Sequence, residues 1–140
     1  MKILLPVDGS DYTKRMLSYI AAHDELLSPE NDYLIATAVP PIPAHASRFL
    51  ERGTLEEYYR DQGEQVLQPV RAYIEQKGWK ARYVSSPGHA AETIANLAAA
   101  EKVDLIVMGT HGHSALGNVV LGSVASGVLA RCKQPVLLIP

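Results

Sequence analysis

The amino-acid sequence predicts a single α/β domain built on a parallel β-sheet. Two observations carry this prediction. Short continuous apolar runs alternate with segments of helical periodicity along the whole chain, and such runs are typical of strands that are covered on both faces. Strands separated by helices form right-handed βαβ units, which lie side by side and parallel. The length of 140 residues suits one domain over residues 1–140.

The first apolar run, Ile3–Val7, predicts a strand, and a helix follows it. Gly9 breaks the run, and Ser10 is a suitable N-cap for a helix that extends to about Leu27. Pro6 has no N–H to donate to a neighbouring strand, so we expect it at the carboxyl end of its strand, where pairing stops. Ligands bind at that end of open α/β sheets.

The second strand is predicted over Tyr33–Val39, where two prolines end it, and an irregular, proline-rich stretch follows. Thr54 and Glu57 have the spacing of a capping box, which predicts that a long helix begins at Thr54. Gly78 is a typical C-terminal stop for this helix. Pro69 lies within it and predicts a kink at that point.

The same alternation continues to the end of the chain. The remaining predicted elements are, in order, a strand within Trp79–Ser85, a turn at Ser86–Gly88, a helix marked by Ala90, Ile94, Leu97 and Ala98, a strand within Asp104–Gly109, a loop over Thr110–Leu121, a helix over Gly122–Cys132 and a strand over Val136–Ile139. No internal repeat or linker interrupts this order, which supports a single domain.

Composition and charge exclude several classes of function. The formal net charge is −2 at pH 7 and the pI is about 6.2, so no basic excess indicates nucleic acid binding and no basic stretch indicates a membrane surface. The N-terminal apolar run is too short for a signal peptide, and we expect a cytoplasmic protein. The single cysteine, Cys132, is expected to be a buried small hydrophobe rather than a catalytic thiol.

The strongest chemical signal is a glycine pattern, Gly109-x-x-Gly112, nine residues, then Gly122-Ser123, which follows a strand and opens a helix. Glycines let a backbone approach an anion closely. Free N–H groups of Gly122, Ser123 and Val124 at a helix N-terminus favour negative charge. The alternative is that these glycines only form a tight connection. The loop contains no lysine, so it is not a Walker A loop, and it is not the dinucleotide-binding pattern either.

Together with its flanks, this pattern resembles the ATP-binding subgroup of the universal stress protein family. The opening Leu5–Ser10 resembles that family's first strand and turn, and the ending Pro135–Ile139 resembles its last strand. The order of elements also matches, so the resemblance covers essentially the whole chain. It implies an open parallel five-stranded sheet in the order 3-2-1-4-5 with helices on both faces, a Rossmann-like fold of the adenine nucleotide alpha hydrolase-like kind.

The resemblance also implies a ligand, ATP or else ADP or AMP, with Mg²⁺ accompanying the triphosphate. The residues that it places around the nucleotide are Pro6, Val7 and Asp8 at the adenosine, the backbone of Ala38 and Val39 at the adenine edge, Met108 and Gly109 along the ribose, and Gly112, His113, Gly122, Ser123 and Val124 around the phosphates. Asp8 would accept hydrogen bonds from the ribose hydroxyls. The resemblance further implies a homodimer through the last strand, Val136–Ile139, which is apolar and expected at a sheet edge, and a regulatory protein partner that the sequence does not identify.

Two of these residues allow other interpretations. Asp8 could instead hold a metal, or it could be a helix-entry residue favoured by the dipole of the following helix. His113 stands where the resemblance leads us to expect an arginine or another polar residue, and a histidine would make the phosphate contact pH-dependent. His111 and His113 have no nearby cysteine or carboxylate in the loop, so the pair makes a poor metal site.

Three functions therefore stand as hypotheses. The first is a nucleotide-binding regulatory protein, which agrees with a phosphate site that lacks a positioned lysine or arginine. The second is a slow ATPase, with Asp8, Mg²⁺ and His113 as its only chemical groups. The third is a dimeric interaction protein that binds no nucleotide, against which the intact glycine pattern argues. A flavodoxin-like electron carrier is an alternative that shares only the fold, and a fold alone does not determine function.

Overall fold

The computed structural model describes residues 1–113 and 119–140 as one parallel sheet with helices on both faces. Its elements are, in chain order, β1 (Lys2–Pro6), α1 (Asp11–Ala22), β2 (Asp32–Val39), α2 (Ala44–Ser47), α3 (Arg52–Lys77), β3 (Ala81–Pro87), α4 (Ala90–Glu101), β4 (Leu105–Gly109), α5 (Ser123–Arg131) and β5 (Val136–Ile139). The five strands have the order β3-β2-β1-β4-β5, and neighbouring strands are parallel. This confirms the predicted fold class and strand order. Of the predicted loop after β4, positions 114–118 lie outside the described residues.

β1 occupies the centre of the sheet, because its residues are apolar enough to be covered on both faces. Ile3–Leu5 is fully buried, and β1 pairs with β2 on one side and with β4 on the other. Pro6 pairs in register with Ala36 at the end of the strand, which confirms the position predicted for a residue that has no N–H. Directly after it, the N–H of Val7 donates to the carbonyl of Ala36 at 2.8 Å.

The core consists of two apolar layers, one on each face of the sheet. The layer beneath α1 and α3 includes Tyr33 and Ile35 of β2, whereas the layer beneath α4 and α5 includes Leu34 and Ala36 of the same strand. Successive side chains of a strand point to opposite faces, so a strand that is buried on both faces has a continuous apolar sequence. Within the described ranges, no helix is both long enough and apolar enough to cross a bilayer.

The helical spacing predicted that α1 would extend to about Leu27, but the helix ends at Ala22. The backbone of His23 leaves the helical region, with φ −129° and ψ 54°, and its carbonyl accepts from the N–H of Leu27 at 2.9 Å in a separate turn. Leu27 is nevertheless buried, and the hydroxyl of Tyr33 donates to its carbonyl at 2.9 Å. An apolar residue at helical spacing therefore indicated burial here but not helix.

The segment between β2 and the body of α3 also differs from the prediction. The stretch predicted as irregular contains the short helix α2, and α3 begins at Arg52 with Glu51 as its N-cap. The predicted capping box at Thr54 is therefore wrong, because Thr54 lies inside the first helical turn and an N-cap residue needs an extended backbone. α3 continues through Pro69 as one element and ends at Gly78 in the left-handed conformation, φ 73°, as predicted.

β3 extends through Ser86 and Pro87, where the sequence predicted a turn. Both residues pair with the end of β2, Ser86 with Ala38 and Pro87 with Val39. The chain turns only at Gly88, whose N–H donates to the carbonyl of Val39 at 2.9 Å. Proline is tolerated here because β3 is an edge strand, on which a missing N–H that faces outward costs no ladder bond.

Ser10 is the N-cap of α1, as predicted, but its hydroxyl does not cap the helix. Its backbone is extended, with φ −72° and ψ 173°, and its side chain makes no capping hydrogen bond. The Oγ atom is buried without a hydrogen-bond partner in the described part of the chain. Asp8 takes the acceptor role at this helix start, since its Oδ1 accepts from the N–H of Ser10 at 2.9 Å and from the hydroxyl of Thr13 at 3.0 Å.

We therefore expect Ser10→Ala to keep or raise the free energy of unfolding, by up to about 1 kcal/mol, because the variant no longer buries an unpaired hydroxyl. If the Ser10 hydroxyl did cap the helix, its removal would instead lower the free energy of unfolding by about 1 kcal/mol. Urea unfolding followed by circular dichroism measures the difference. Thr13→Ala is the comparison and should lose stability, because Thr13 both donates to Asp8 and accepts from it. Equal losses in the two variants would contradict this interpretation.

Candidate functional site

A cleft of about 610 Å³ opens at the carboxyl ends of β1, β2 and β4. The chain continues from β1 to β2 on one side of the sheet and from β4 to β5 on the other, so β1 and β4 form its topological switch point. Open α/β sheets bind ligands in the crevice at such a point. The cleft therefore lies where the fold by itself predicts a ligand.

All twelve residues that the sequence predicted around a ligand line this cleft. They are Pro6, Val7, Asp8, Ala38, Val39, Met108, Gly109, Gly112, His113, Gly122, Ser123 and Val124. The described lining also contains residues that the sequence analysis did not place around a ligand, namely Thr13, Ala36, Thr37, Pro40, Gln62, Val66, Ala90, Ile94, His111, Val119 and Ala125. Several of these come from α3 and α4, and the packing of a helix over distant strand ends leaves no local signal in a sequence.

Asp8 is held at the edge of the cleft by the turn into α1. Gly9 has a φ of 78°, which other residues adopt only with steric strain. Besides accepting from Ser10 and Thr13, Asp8 donates its N–H to Oγ1 of Thr13 at 3.1 Å. Burial raises the pKa of Asp8, but these hydrogen bonds and the nearby His113 outweigh burial, so the pKa lies below its ordinary value of 3.8. Asp8 is therefore an anion at neutral pH.

This lowered pKa predicts a pH dependence of stability. A carboxyl group whose folded-state pKa is depressed stabilises the fold above its ordinary value of 3.8, and the stabilisation is lost as the pH falls from that value through the folded-state pKa. We expect Asp8→Asn to be less stable than wild type at neutral pH and to lose less of its remaining free energy of unfolding between about pH 5 and about pH 3. Urea unfolding at several pH values measures this. Parallel stability curves for the two proteins would refute the assignment.

Gly112 lies directly against Asp8. A Cβ at Gly112 would overlap Oδ2 of Asp8 and lie 3.5 Å from its Cγ, so the close approach requires glycine. The N–H of His113 donates to the same Oδ2 at 3.3 Å. Nε2 of His113 donates to the Asp8 carbonyl at 2.7 Å, since a carbonyl only accepts. The loop after β4 is thus tied to the end of β1. In the neutral imidazole Nδ1 of His113 is then an acceptor, so the predicted phosphate contact through Nδ1 requires the protonated ring.

His111 connects the two ends of the same loop. Its Nδ1 lies 2.9 Å from Oγ1 of Thr110, and its Nε2 donates to the carbonyl of Val119 at 2.7 Å. Its ring packs beside that of Tyr12, with 5.2 Å between the centroids. Both ring nitrogens are therefore engaged in hydrogen bonds. Among residues 1–113 and 119–140, no three metal-ligating side chains come together in a group that could hold an ion.

The N-terminus of α5 faces the cleft with Gly122 as its N-cap. The N–H of Gly122 is not free, contrary to the prediction, because it donates to the carbonyl of Thr110 at 2.7 Å and closes the base of the loop. Ser123, Val124 and Ala125 follow and line the cleft. The first N–H groups of a helix have no acceptor within it, and the helix dipole adds positive potential. The N–H groups that remain for an anion therefore begin at Ser123 and not, as predicted, at Gly122.

The peptide of Ala38 presents its polar groups at the other side of the cleft. The Ala36 carbonyl points towards β1, where it accepts from Val7, and the Val39 carbonyl points towards β3, where it accepts from Gly88. Polar groups alternate between the two sides of a strand in a parallel ladder, so the N–H and the carbonyl of Ala38 face the β1 side. β1 has already ended at that level, and neither group has a backbone partner in the described chain. Ala38 therefore offers one donor and one acceptor to the cleft, whereas Val39 offers its side chain.

Two other predictions concern residues away from the cleft. Cys132 is partly buried against the apolar layer beneath α4 and α5, and burial raises the pKa of its thiol, which agrees with a packing role and not with an activated nucleophile. β5 lies at an edge of the sheet, as predicted, and within the described chain it pairs with β4 alone. Val136, Leu137 and Leu138 are half-buried there.

The fold and the cleft define the class of this protein, an open α/β-sheet protein with a partly polar cleft at the switch point of its sheet. The model of the family described as Universal stress protein family matches residues 1–140, and the chain belongs to that family. It is 34% identical over 138 residues to a universal stress protein of Thermus aquaticus, covering 98% of this chain and 96% of the other. It is 31% identical over 141 residues to universal stress protein MJ0531 of Methanocaldococcus jannaschii, covering 99% and 81% of the two chains.

Solved structures share the fold. Protein MJ0577 of Methanocaldococcus jannaschii superposes with a TM-score of 0.81 at 25% identity, over 99% of this chain and 94% of that one. Similar folds carry adenine nucleotides: a universal stress protein in complex with cAMP, with TM-score 0.65, 23% identity and coverage of 100% and 96%, and one from Archaeoglobus fulgidus in complex with dAMP, with TM-score 0.69, 19% identity and coverage of 100% and 98%. A family member from Arabidopsis thaliana with AMP bound has a TM-score of 0.67 at 14% identity, over 99% and 90% of the two chains.

Proposed function

We propose that this protein binds an adenine nucleotide in the cleft and acts as a regulatory protein whose state depends on nucleotide occupancy. The observation that carries the proposal is that one cleft at the switch point gathers all the residues predicted to surround the nucleotide. Solved structures of the same fold hold cAMP, dAMP and AMP, which supports the adenine nucleotide class. ATP is the member of that class that we propose, on the strength of the glycine pattern.

The cleft offers a suitable group for each part of a nucleotide. The free N–H and carbonyl of Ala38 can meet the edge of the adenine. Oδ1 of Asp8 is occupied by Ser10 and Thr13, whereas among the described residues Oδ2 accepts only the longer 3.3 Å contact from His113. A carboxylate oxygen has capacity for a further donor, so Oδ2 is the atom that we assign to a ribose hydroxyl. The amides at the start of α5 would bind the phosphates.

The lining favours binding over hydrolysis. The described lining residues include neither lysine nor arginine, whereas phosphoryl transfer depends on positive groups that neutralise developing charge. Asp8 is the single carboxylate among them. Mg²⁺ bound with ATP would therefore take most of its ligands from phosphate oxygens and water, as this ion commonly does. A slow ATPase remains the second hypothesis, and turnover would be weak.

Calorimetric titration of the nucleotide-stripped protein tests the proposal. AMP, ADP and ATP are titrated with and without Mg²⁺, first into wild type and then into Ser123→Ala, which removes one hydroxyl donor but keeps the helix start. We expect saturable binding by wild type and affinity for ATP reduced about 10- to 100-fold in the variant, the cost of one hydrogen bond to a charged group. A folded wild type that binds none of the three would favour the nucleotide-free interaction protein.

We also propose a cytoplasmic homodimer formed through the exposed edge of β5. The carbonyls of Pro135 and Ile139 point towards β4, where they accept from Ile106 and Thr110. By the alternation of a parallel ladder, the N–H of Val136 faces away from β4, towards the open edge. An apolar edge with unpaired polar groups favours strand pairing.

Val136→Pro is therefore expected to shift the protein from dimer to monomer in analytical ultracentrifugation, because the proline ring fills the space of an outward N–H. The pairing of β4 with β5 should survive, so the melting temperature at low protein concentration should change little. A variant that stays dimeric would argue against this edge as the interface. A wild type that sediments as a monomer would remove the dimer proposal altogether.

A further inference from the structure

α3 forms a wall of the cleft that the predicted residue set did not include. Gln62 and Val66, one turn apart, both line it. Between them lies Gly63, where a Cβ would overlap Oγ of Ser85 on β3 and lie 2.6 Å from its Cβ. α3 therefore packs against β3 so closely at this point that no side chain larger than that of glycine fits without a shift. Cγ1 of Val66 lies 3.9 Å from the position of a Cβ on Gly9, so the same face of α3 packs over the turn that follows β1.

Most polar side chains of the cleft are already committed to the protein itself. Asp8 and Thr13 bind each other, His113 binds the Asp8 backbone, and His111 binds Val119. Gln62 is half-buried, and its side-chain amide makes no hydrogen bond to any described residue. It is also the single side-chain amide in the described lining. A polar group placed in a largely apolar cleft without an internal partner is available to a ligand.

Gln62 lies on the same side of the cleft as the end of β2. Along β2, Tyr33 and Ile35 face α3, so alternation also turns Thr37 towards that helix. Thr37 lines the cleft with Gln62, next to the free peptide of Ala38. The end of the cleft beside β2 thus combines the backbone donor and acceptor of Ala38 with the side-chain amide of Gln62.

We propose that Gln62 is a specificity-determining residue that hydrogen-bonds the edge of the base, an inference that rests on the adenine nucleotide function proposed above. An amide carries a donor and an acceptor side by side. Adenine presents the complementary pair, a 6-amino donor next to a ring-nitrogen acceptor, and glutamine pairs with adenine in this way in other complexes. The ligand class that Gln62 selects is the 6-aminopurine nucleotides.

A cycle of two ligands and two proteins tests this. The ligands are AMP and purine riboside 5′-monophosphate, which lacks the 6-amino group, and the proteins are wild type and Gln62→Met, measured by calorimetry. We expect wild type to bind AMP more tightly than purine riboside 5′-monophosphate. In Gln62→Met this ratio of affinities should fall about tenfold, which is near the lower end of the discrimination that one bidentate pair with a base provides. Gln62→Glu, which keeps the shape and the acceptor but not the donor, should lie between them. Gln65→Met, on the exposed side of α3, is the matched control and should match wild type.

The outcomes separate a specificity role from a structural one. If Gln62→Met weakens both ligands equally, or neither, the preference does not come from Gln62 and the inference is overturned. A control variant that loses the same preference would overturn it as well. If wild type binds neither ligand, the proposed function fails first, and that failure is seen before any variant is made.

Discussion

Gly112→Ala is expected to weaken binding of the adenine nucleotide by about 10- to 100-fold, the cost of one hydrogen bond to a charged group. The added Cβ would overlap Oδ2 of Asp8 and lie 3.5 Å from its Cγ. Either Asp8 must leave its position or the backbone at 112–113 must withdraw. The first change removes the proposed ribose acceptor, and the second moves the loop that the phosphates are proposed to contact. Calorimetric titration with AMP and ATP measures the loss.

Comparison of the two ligands shows which change occurs. If the backbone withdraws, ATP should lose more affinity than AMP, because it has more phosphate contacts to lose. If Asp8 moves, the two ligands should lose similar factors. Gly53→Ala is the matched control, since a Cβ there meets nothing within 4 Å, and it should bind as wild type does. Wild-type affinity in Gly112→Ala would show that the nucleotide does not depend on this part of the loop.

Gly63→Ala is expected to lower the free energy of unfolding by about 1–3 kcal/mol, the usual cost of overpacking. Within a helix, alanine is normally more stabilising than glycine by about 1 kcal/mol. The expected loss of stability is therefore opposite in sign to the change that helix propensity predicts. The reason is that the new Cβ would overlap Oγ of Ser85 and lie 2.6 Å from its Cβ. A hydroxyl can rotate away, but a Cβ moves only with its backbone. Urea unfolding measures the change.

Ser85→Gly provides the decisive background for this substitution. It removes the two atoms that the new methyl group would overlap and leaves only Val39 at an ordinary contact distance of 3.8 Å, so Gly63→Ala made in Ser85→Gly should become neutral or stabilising by up to about 1 kcal/mol. Gly53→Ala, in the exposed first turn of α3, should be neutral or slightly stabilising in either background. A Gly63→Ala variant as stable as wild type would show that α3 can move away from β3 at little cost.

The elements of this fold follow from local sequence to a large degree. The continuous apolar runs at β1, β2, β4 and β5 predict strands covered on both faces, because burial on two faces leaves no polar positions in the alternation. Two of the errors occurred where a tertiary contact overrides local preference. Leu27 fits helical spacing but lies in a turn that is packed on Tyr33, and Ser86–Pro87 resembles a turn but pairs with the end of β2.

The candidate site divides in the same way. The glycine pattern, Asp8 and the strand ends could be named from the sequence, because each is a local signal: a glycine spacing, an acid after a strand, a helix start. The sequence could not show that the N–H of Gly122 donates to Thr110 and closes the loop. Nor could it show that Oδ1 of Asp8 accepts hydrogen bonds from the start of α1. Those facts depend on distances between groups that are brought together only by folding.

By itself, then, the amino-acid sequence determined the class of fold, the order of its elements and the end of the sheet at which a ligand would bind. Tertiary structure alone decided which groups remain available there. α3 lies over the cleft because Gly63 lets it approach Ser85 so closely, and this brings Gln62 beside residues that are distant in the chain. Local periodicity records which face of a helix is buried, but not which strand ends that face will cover.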